Sequence, residues 1–206
     1  MFKLVIFDVD GTMIDTEEVV LKSYQYAIYE EFGRQFTQEE LAVAYGIPTL
    51  QAMKQLGVKD IDRACERYFE SLFREYSNGV RIFDGITQLL EELKRRNIVC
   101  GIVTSRNKAE VANDVTLQAL MKYFDYVICS EDTIKHKPDA EPVNKLLEIS
   151  ATEASDVLYL GDTFYDYMCA KNAGVKFALA AWGARPDAKI KEDYLLEEPA
   201  DLLKFV

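Results

Sequence analysis

Two segments of the sequence carry pairs of carboxylates at spacings that suit metal-assisted chemistry. In the first segment, Asp8 and Asp10 lie two residues apart after the apolar run at residues 4–7, and Gly11 follows them. Side chains two residues apart in a strand point to the same side, so both carboxylates would share one small space. They repel each other unless a cation lies between them or one holds a proton, and hard oxygen ligands suit Mg²⁺. An Asp-Gly pair alone is more often an ordinary turn.

The second segment, GDTFYD, places Asp162 and Asp166 after another apolar run. If Asp166 lies in the first turn of the following helix, its carboxylate can reach the same space as that of Asp162. Taken alone, the pair is equally consistent with an aspartate that stabilises a helix N-terminus.

Two further polar segments could bind an anion. Thr104 and Ser105 follow an apolar run and precede a helical pattern, so the threonine hydroxyl and the free N–H groups of the turn could hold a phosphate. A threonine in this position is more often only a helix cap. Lys137 lies in a proline-marked loop, where a lone lysine is usually a solvated surface charge.

The elements that would position these residues alternate between helix and strand. Beyond Asp84 the pattern predicts helices at 85–96, 108–123, 141–149 and 164–172 and strands at 98–103, 126–129, 157–160 and 177–180. Such alternation predicts an α/β fold with a parallel sheet, right-handed crossovers and helices on both faces. Ligands of these sheets bind beyond the carboxyl ends of the strands, which is where the polar segments fall.

The region between the first two polar segments is helical throughout. Its pattern predicts helices at 19–31, 37–44, 50–56 and 61–76 and no convincing strand. We therefore expect two units, an α/β core made of residues 1–15 and 81–206 and a small all-helical cap made of residues 16–80.

Composition restricts the partners. The chain has 206 residues and a formal net charge of −11, which disfavours a nucleic-acid partner. No apolar run approaches the roughly 20 residues of a membrane span, and no signal peptide precedes the first strand. We expect a cytoplasmic protein, a monomer or a weak homodimer, whose four cysteines are reduced core residues.

The order of the segments, DVDGTMIDT, then Thr104-Ser105, then Lys137-Pro138, then GDTFYD, resembles the signatures of the haloacid dehalogenase-like hydrolases. The resemblance covers the whole chain apart from the details of the insert, and it implies a Rossmann-like parallel sheet. The insert is similar to the helical cap of the subgroup that includes phosphoglycolate phosphatase and β-phosphoglucomutase. Ala140 departs from the pattern, because many relatives have a second proline there.

The resemblance implies a role for each matched residue. Asp8 would be the nucleophile that forms an aspartyl-phosphate, and Asp10 would be the general acid and base, a role that calls for a raised pKa. Mg²⁺ would be held by Asp8, Asp162 and the backbone carbonyl of Asp10, with Asp166 in support. The phosphoryl oxygens would be bound by Thr104, the Ser105 N–H and Lys137.

Three functions remain open from the sequence. The leading one is a Mg²⁺-dependent phosphatase that hydrolyses a small phosphorylated metabolite, a soluble phosphomonoester. A phosphomutase of the β-phosphoglucomutase type is the alternative, but it should place a cation in the loop after Gly46, and that loop has none before Lys54. A catalytically silent binding protein is the third, and its usual mark would be the loss of Asp8, Asp10 or Lys137, all of which are present.

Overall fold

The sheet is built around strand β1, whose four apolar residues are all buried. The computed structural model describes residues 1–185 and 190–206. Six strands lie in the order β3-β2-β1-β4-β5-β6, and every neighbouring pair is parallel. Their bounds are β1 (Leu4–Phe7), β2 (Val99–Val103), β3 (Tyr126–Ile128), β4 (Val157–Gly161), β5 (Lys176–Ala180) and β6 (Tyr194–Leu196).

Helices cover both faces of the sheet, as the alternating pattern predicts. Val5 and Phe7 of β1 pack into one apolar cluster, while Leu4 and Ile6 pack into another on the opposite face. This division follows from the two-residue period of a strand, and it confirms the predicted α/β fold class. The helices of this part are α5 (Ile86–Arg95), α6 (Lys108–Asn113), α7 (Val115–Leu120), α8 (Glu141–Ser150) and α9 (Phe164–Asn172).

Two elements differ from the sequence-based expectation. The single helix expected at 108–123 is broken at Asp114, which has an extended backbone and separates α6 from α7. The Asp114 carboxylate accepts hydrogen bonds from the N–H groups of Thr116 and Leu117, so it caps a new helix rather than continuing the old one. Strand β6 was not expected at all, because only three residues form it at the edge of the sheet.

Four helices follow the first strand and form a separate apolar cluster. They are α1 (Glu17–Phe32), α2 (Gln38–Leu41), α3 (Thr49–Gln55) and α4 (Ile61–Asn78). Tyr24 and Ile28 of α1 pack in this cluster against Tyr68 and Leu72 of α4. We call residues 16–80 the helical insert.

The two connections of the helical insert run side by side. The N–H of Asp15 donates to the carbonyl of Arg81, and the Arg81 guanidinium lies 2.6 Å from the Asp15 carboxylate. Phe83 likewise donates its N–H to the carbonyl of Met13. Both connections therefore leave the sheet at the carboxyl end of β1. Within the described ranges, no helix combines the length and the apolar character that a membrane span requires.

Candidate active site

Asp8 lies at the carboxyl end of β1 in direct contact with a buried lysine. Lys137 Nζ lies 2.6 Å from Asp8 Oδ1 and 2.6 Å from Asp166 Oδ1. All three side chains are almost completely removed from solvent. The lysine that the sequence alone would place on the surface therefore joins the first and last polar segments.

Asp162 lies on the other side of Asp8, at the turn after β4. Its carboxylate accepts a hydrogen bond of 2.9 Å from the Thr12 hydroxyl. Gly11 passes so close that a Cβ at this position would lie 2.3 Å from Asp162 Oδ2, and its φ is +78°. Glycine is thus required at residue 11 by both space and backbone conformation.

One carboxylate oxygen each from Asp8, Asp162 and Asp166 lie within 4.8 Å of one another. Asp166 is also bonded by other donors, with the Tyr159 hydroxyl at 3.0 Å from its Oδ1 and the Thr163 hydroxyl on its Oδ2. The sequence-based expectation that these three carboxylates share one space agrees with this geometry.

Burial makes the charged forms of these carboxylates costly. It raises the pKa of Asp8 to about 7, against the opposing effect of Lys137. Burial together with the neighbouring charges of Asp166 and Asp8 raises the pKa of Asp162 well above its ordinary value. Three carboxylates that face one lysine are short of positive charge.

The buried charged side chains show the same shortage of positive charge. The buried charged side chains in the described part of the chain are five carboxylates (Asp8, Glu110, Asp114, Asp162 and Asp166) and two cations (Arg106 and Lys137). A hard divalent cation with oxygen ligands would offset this excess, so the donor set fits Mg²⁺. An anionic substrate would be repelled without such a cation.

Asp10 does not join the Asp8 cluster through its carboxylate. Its two oxygens accept hydrogen bonds from Arg106, with Nε at 2.9 Å and Nη2 at 2.8 Å, and from the Thr16 hydroxyl at 2.7 Å. Burial alone would raise the pKa of Asp10, but the Arg106 charge and these hydrogen bonds lower it below its ordinary value. The expectation of a raised pKa at Asp10 is therefore wrong, and its cause is a cation that the sequence reasoning overlooked.

Thr104 and Ser105 lie at the end of β2, as predicted. Thr104 is buried, and its hydroxyl accepts a hydrogen bond of 3.1 Å from the Arg106 N–H, so it shapes the turn. The Ser105 hydroxyl donates to the carbonyl of Gly46 in the helical insert at 2.9 Å. Ser105 thus fixes the loop after Gly46 above the end of the sheet.

A cavity of about 460 Å³ separates the helical insert from the sheet and opens onto Asp8. Tyr24 and Tyr68 form part of its insert side, whereas Asp10, Ser105 and Asp162 form part of its core side. Thr49, in the loop after Gly46, also lines the cavity. Further lining residues that the sequence did not predict include Tyr45, Tyr76, Arg106, Glu110 and Arg185.

Arg106 is the residue of this site that sequence reasoning should have found. It directly follows Thr104-Ser105 at the carboxyl end of a predicted strand, where ligands of such sheets bind. The tyrosines gave a weaker signal, because an aromatic residue at helical spacing is usually a core residue.

Comparison with known proteins agrees with the fold. A family profile described as haloacid dehalogenase-like hydrolase matches residues 5–180. A PpaX relative from Clostridium perfringens is 32% identical and covers 100% of this chain and 98% of its own. Pyrophosphatase PpaX from Bacillus velezensis is 31% identical and covers 97% of this chain and 94% of its own.

Solved structures show the same architecture. A protein of Lactobacillus plantarum, provisionally described as a phosphoglycolate phosphatase, has a TM-score of 0.89 at 27% identity and matches 99% of each chain. CbbY from Rhodobacter sphaeroides, solved with phosphate, has a TM-score of 0.85 at 19% identity over 98% of this chain and 96% of its own, a likeness of fold alone. The parallel sheet with its acidic site at the carboxyl edge places the chain in the α/β class. The chain belongs to the haloacid dehalogenase-like hydrolases and is a phosphatase of that family.

Proposed function

We propose that the protein is a Mg²⁺-dependent phosphatase that transfers the phosphoryl group of a small phosphorylated compound to Asp8 and then to water. The observation that carries this proposal is Lys137 Nζ at 2.6 Å from both Asp8 and Asp166, with Asp162 alongside. A buried carboxylate beside one lysine and two further carboxylates is suited to attack phosphorus once its charge is balanced.

The proposed metal ligands are Asp8, Asp162 and the backbone carbonyl of Asp10. When bound, Mg²⁺ would supply Lewis-acid stabilisation of charge on the phosphoryl oxygens. Asp166 supports the site rather than leading it, because Lys137, Tyr159 and Thr163 already occupy its oxygens.

Lys137 orients the nucleophile and offsets charge on the phosphoryl group during transfer. The backbone N–H of Ser105 and the Thr104 hydroxyl would bind phosphoryl oxygens at the neighbouring strand end. Asp10 is the aspartate of the cavity wall that lies outside the cluster of Asp8, Asp162 and Asp166. Its lowered pKa favours the carboxylate, so we assign it the acceptance of the proton from the attacking water and the delivery of that proton to the leaving oxygen of the next substrate.

The helical insert would act as the cap that selects the leaving group. Its loop residues Gly46, Ile47 and Thr49 line the cavity and carry no charge. This favours hydrolysis of a compact substrate over a mutase reaction, which must also hold a second phosphate on a reoriented sugar.

Inorganic pyrophosphate is the second candidate substrate. Relatives that match nearly the whole chain at 30–32% identity carry the pyrophosphatase name. In this chain, the leaving group would then be phosphate, which is smaller than a sugar phosphate.

A turnover panel tests both candidates. Phosphate release would be measured on pyrophosphate, phosphoglycolate, p-nitrophenyl phosphate and a sugar bisphosphate, each with Mg²⁺ and with EDTA. We expect Mg²⁺-dependent release on at least one compound of the panel and none in EDTA. Full activity in the chelator would contradict the metal assignment, and a preference for pyrophosphate over every ester would select the second candidate.

A further inference from the structure

The Arg106 side chain is buried and makes hydrogen bonds in two directions. Its Nε and Nη2 donate to the two oxygens of Asp10, and its Nη1 donates to Asp114 Oδ2 at 2.8 Å. Asp114 is completely buried at the corner between α6 and α7, so it anchors the guanidinium to the core. Arg106 is therefore a rigid link between that corner and Asp10.

A third contact reaches the helical insert. The guanidinium lies over the ring of Tyr76, 4.6 Å from its centroid, and Tyr76 is a buried residue of α4. An arginine over an aromatic face is stabilised by the charge distribution of the ring. One side chain thus contacts the candidate proton-transfer group, the core and the insert at once.

The Asp10 carboxylate, which Arg106 holds, faces the cavity. The Asp10 side chain keeps 36% of its surface exposed although the arginine that holds it keeps only 3%. Arg106 and Thr16 together fix both oxygens of Asp10, which a single flexible donor could not do. A carboxylate that faces a cavity and is held in one orientation is preorganised to accept a proton from a water molecule there.

We propose that Arg106 is a positioning residue that fixes the Asp10 carboxylate at the cavity wall and, through Tyr76, makes that position depend on the seating of the helical insert. The proposal rests on the proposed function, because it assumes that Asp10 transfers the proton. Because the bonded donors of Arg106 go to Asp10 and Asp114, we expect its loss to lower kcat more than it changes KM.

A double-mutant cycle on kcat tests whether Arg106 acts through Asp10. Arg106→Gln, Asp10→Asn and the double variant would be assayed with 2,4-dinitrophenyl phosphate, whose leaving group departs without a proton, so that kcat reports the acceptance of the proton from the attacking water. We expect Arg106→Gln alone to lower kcat by about tenfold to a hundredfold, with KM changed less than about threefold. In the Asp10→Asn background the same substitution should change kcat by less than about twofold, because the group it positions is already gone.

Three results would overturn the inference. These are an equal loss of kcat in both backgrounds, a loss confined to KM, and a kcat for Arg106→Gln that matches that of the unsubstituted protein. A normal kcat for Asp10→Asn itself would instead contradict the proposed function, so the two failures are distinguishable. Thermal unfolding of each variant verifies the fold, and if Arg106→Gln does not fold, Arg106→Lys enters the same cycle under the same criteria.

Tyr76 supplies the matched test of the contact with the insert. Tyr76→Phe keeps the ring and should leave kcat within about twofold. Tyr76→Leu removes the ring and should lower kcat in the chain that retains Asp10, but not in the Asp10→Asn variant. Equal kcat values for Tyr76→Leu and Tyr76→Phe would remove the insert from the proposal.

Discussion

At the scale of single residues, Asp8 is the side chain on which the proposed chemistry depends. Asp8→Asn should lower kcat by at least a hundredfold, because a neutral amide neither attacks phosphorus nor balances a metal charge. Asp156→Asn is the matched control, since Asp156 lies at the amino end of β4 and pairs with Lys3 at 2.6 Å, on the opposite edge of the sheet. Initial rates for the two variants decide the assignment, and a rate for Asp8→Asn above about a hundredth of the control contradicts it.

The crowded carboxylates also predict a stabilising effect of Mg²⁺ that needs no substrate. Binding to the folded chain alone adds about 2.7 kcal/mol to the unfolding free energy at a hundred times the dissociation constant. We expect Mg²⁺ to raise the melting temperature of the unsubstituted protein and to leave that of Asp162→Asn almost unchanged. Scanning calorimetry in EDTA and in Mg²⁺ measures this, and an equal rise in both proteins would place the ion elsewhere.

Residue types at this site could be predicted from the sequence, but their partners could not. Lys137 was matched by its proline neighbour and its place in the order of segments, and the structure brings it to Asp8. Asp10 is predicted to share the space of Asp8, but its carboxylate is bound by Arg106 instead of joining the cluster around Lys137. A side-chain ion pair between residues 96 positions apart leaves no periodic signal in the sequence.

At the scale of secondary-structure elements, helix α6 begins with a reciprocal pair of hydrogen bonds. The Glu110 N–H donates to Asn107 Oδ1, and the Asn107 N–H donates to the Glu110 carboxylate, each at 2.8 Å. Glu110 is buried against the cavity, and burial raises its pKa from an ordinary 4.5 to about 7. The helix therefore begins at a carboxyl group that is costly to ionise.

The cost of ionising buried Glu110 should make the free energy of unfolding depend on pH. The folded chain keeps the Glu110 proton up to about pH 7, whereas the unfolded chain loses it near pH 4.5, so this group's contribution to stability falls as pH rises between the two values. Glu110→Gln keeps the acceptor for the Asn107 N–H and removes the titration. From pH 5 to pH 8 the unsubstituted protein should lose up to about 3 kcal/mol more unfolding free energy than Glu110→Gln. Urea unfolding measures both, and parallel pH profiles would contradict the prediction.

The strands were easier to predict than the helices that end at the site. Leu4–Phe7 and Val157–Gly161 are short, mainly apolar runs of the length that is typical of buried strands in a covered sheet. The break between α6 and α7 could not be seen in the same way, because Asp114 is compatible with a continuous helix until its carboxylate is needed by Arg106 and by the next helix.

At the scale of the whole molecule, the helical insert and the core meet at the cavity, and two neighbouring insert residues face different ways. Thr49 is buried and lines the cavity, whereas Leu50 is 53% exposed. Thr49→Arg should raise the ratio of kcat/KM for a bisphosphate to kcat/KM for a monophosphate of similar size by about tenfold, because it adds a charged donor to the cavity. Leu50→Arg is the matched control and should leave that ratio unchanged.

The ratio would be measured for both variants on the same two compounds. Equal shifts in the two variants would mean that surface charge alone attracts the bisphosphate. No shift in Thr49→Arg would mean that the loop after Gly46 does not contact the leaving group, and the proposed role of the helical insert would then be wrong.

The central place of β1 has a consequence for the chain as it is made. Leu4 is paired with Val99 on one side and with Val157 on the other. Strand β1 is therefore synthesised before both of its partner strands and stays unpaired until they follow. At ordinary rates of synthesis the second partner follows after about 8 to 30 seconds. An apolar strand with two open edges is prone to pair with other chains, and charges beside it oppose such pairing. Asp8 and Asp10 directly follow the strand. We therefore expect the carboxylates of the site to oppose such pairing in the nascent chain, before any active site exists.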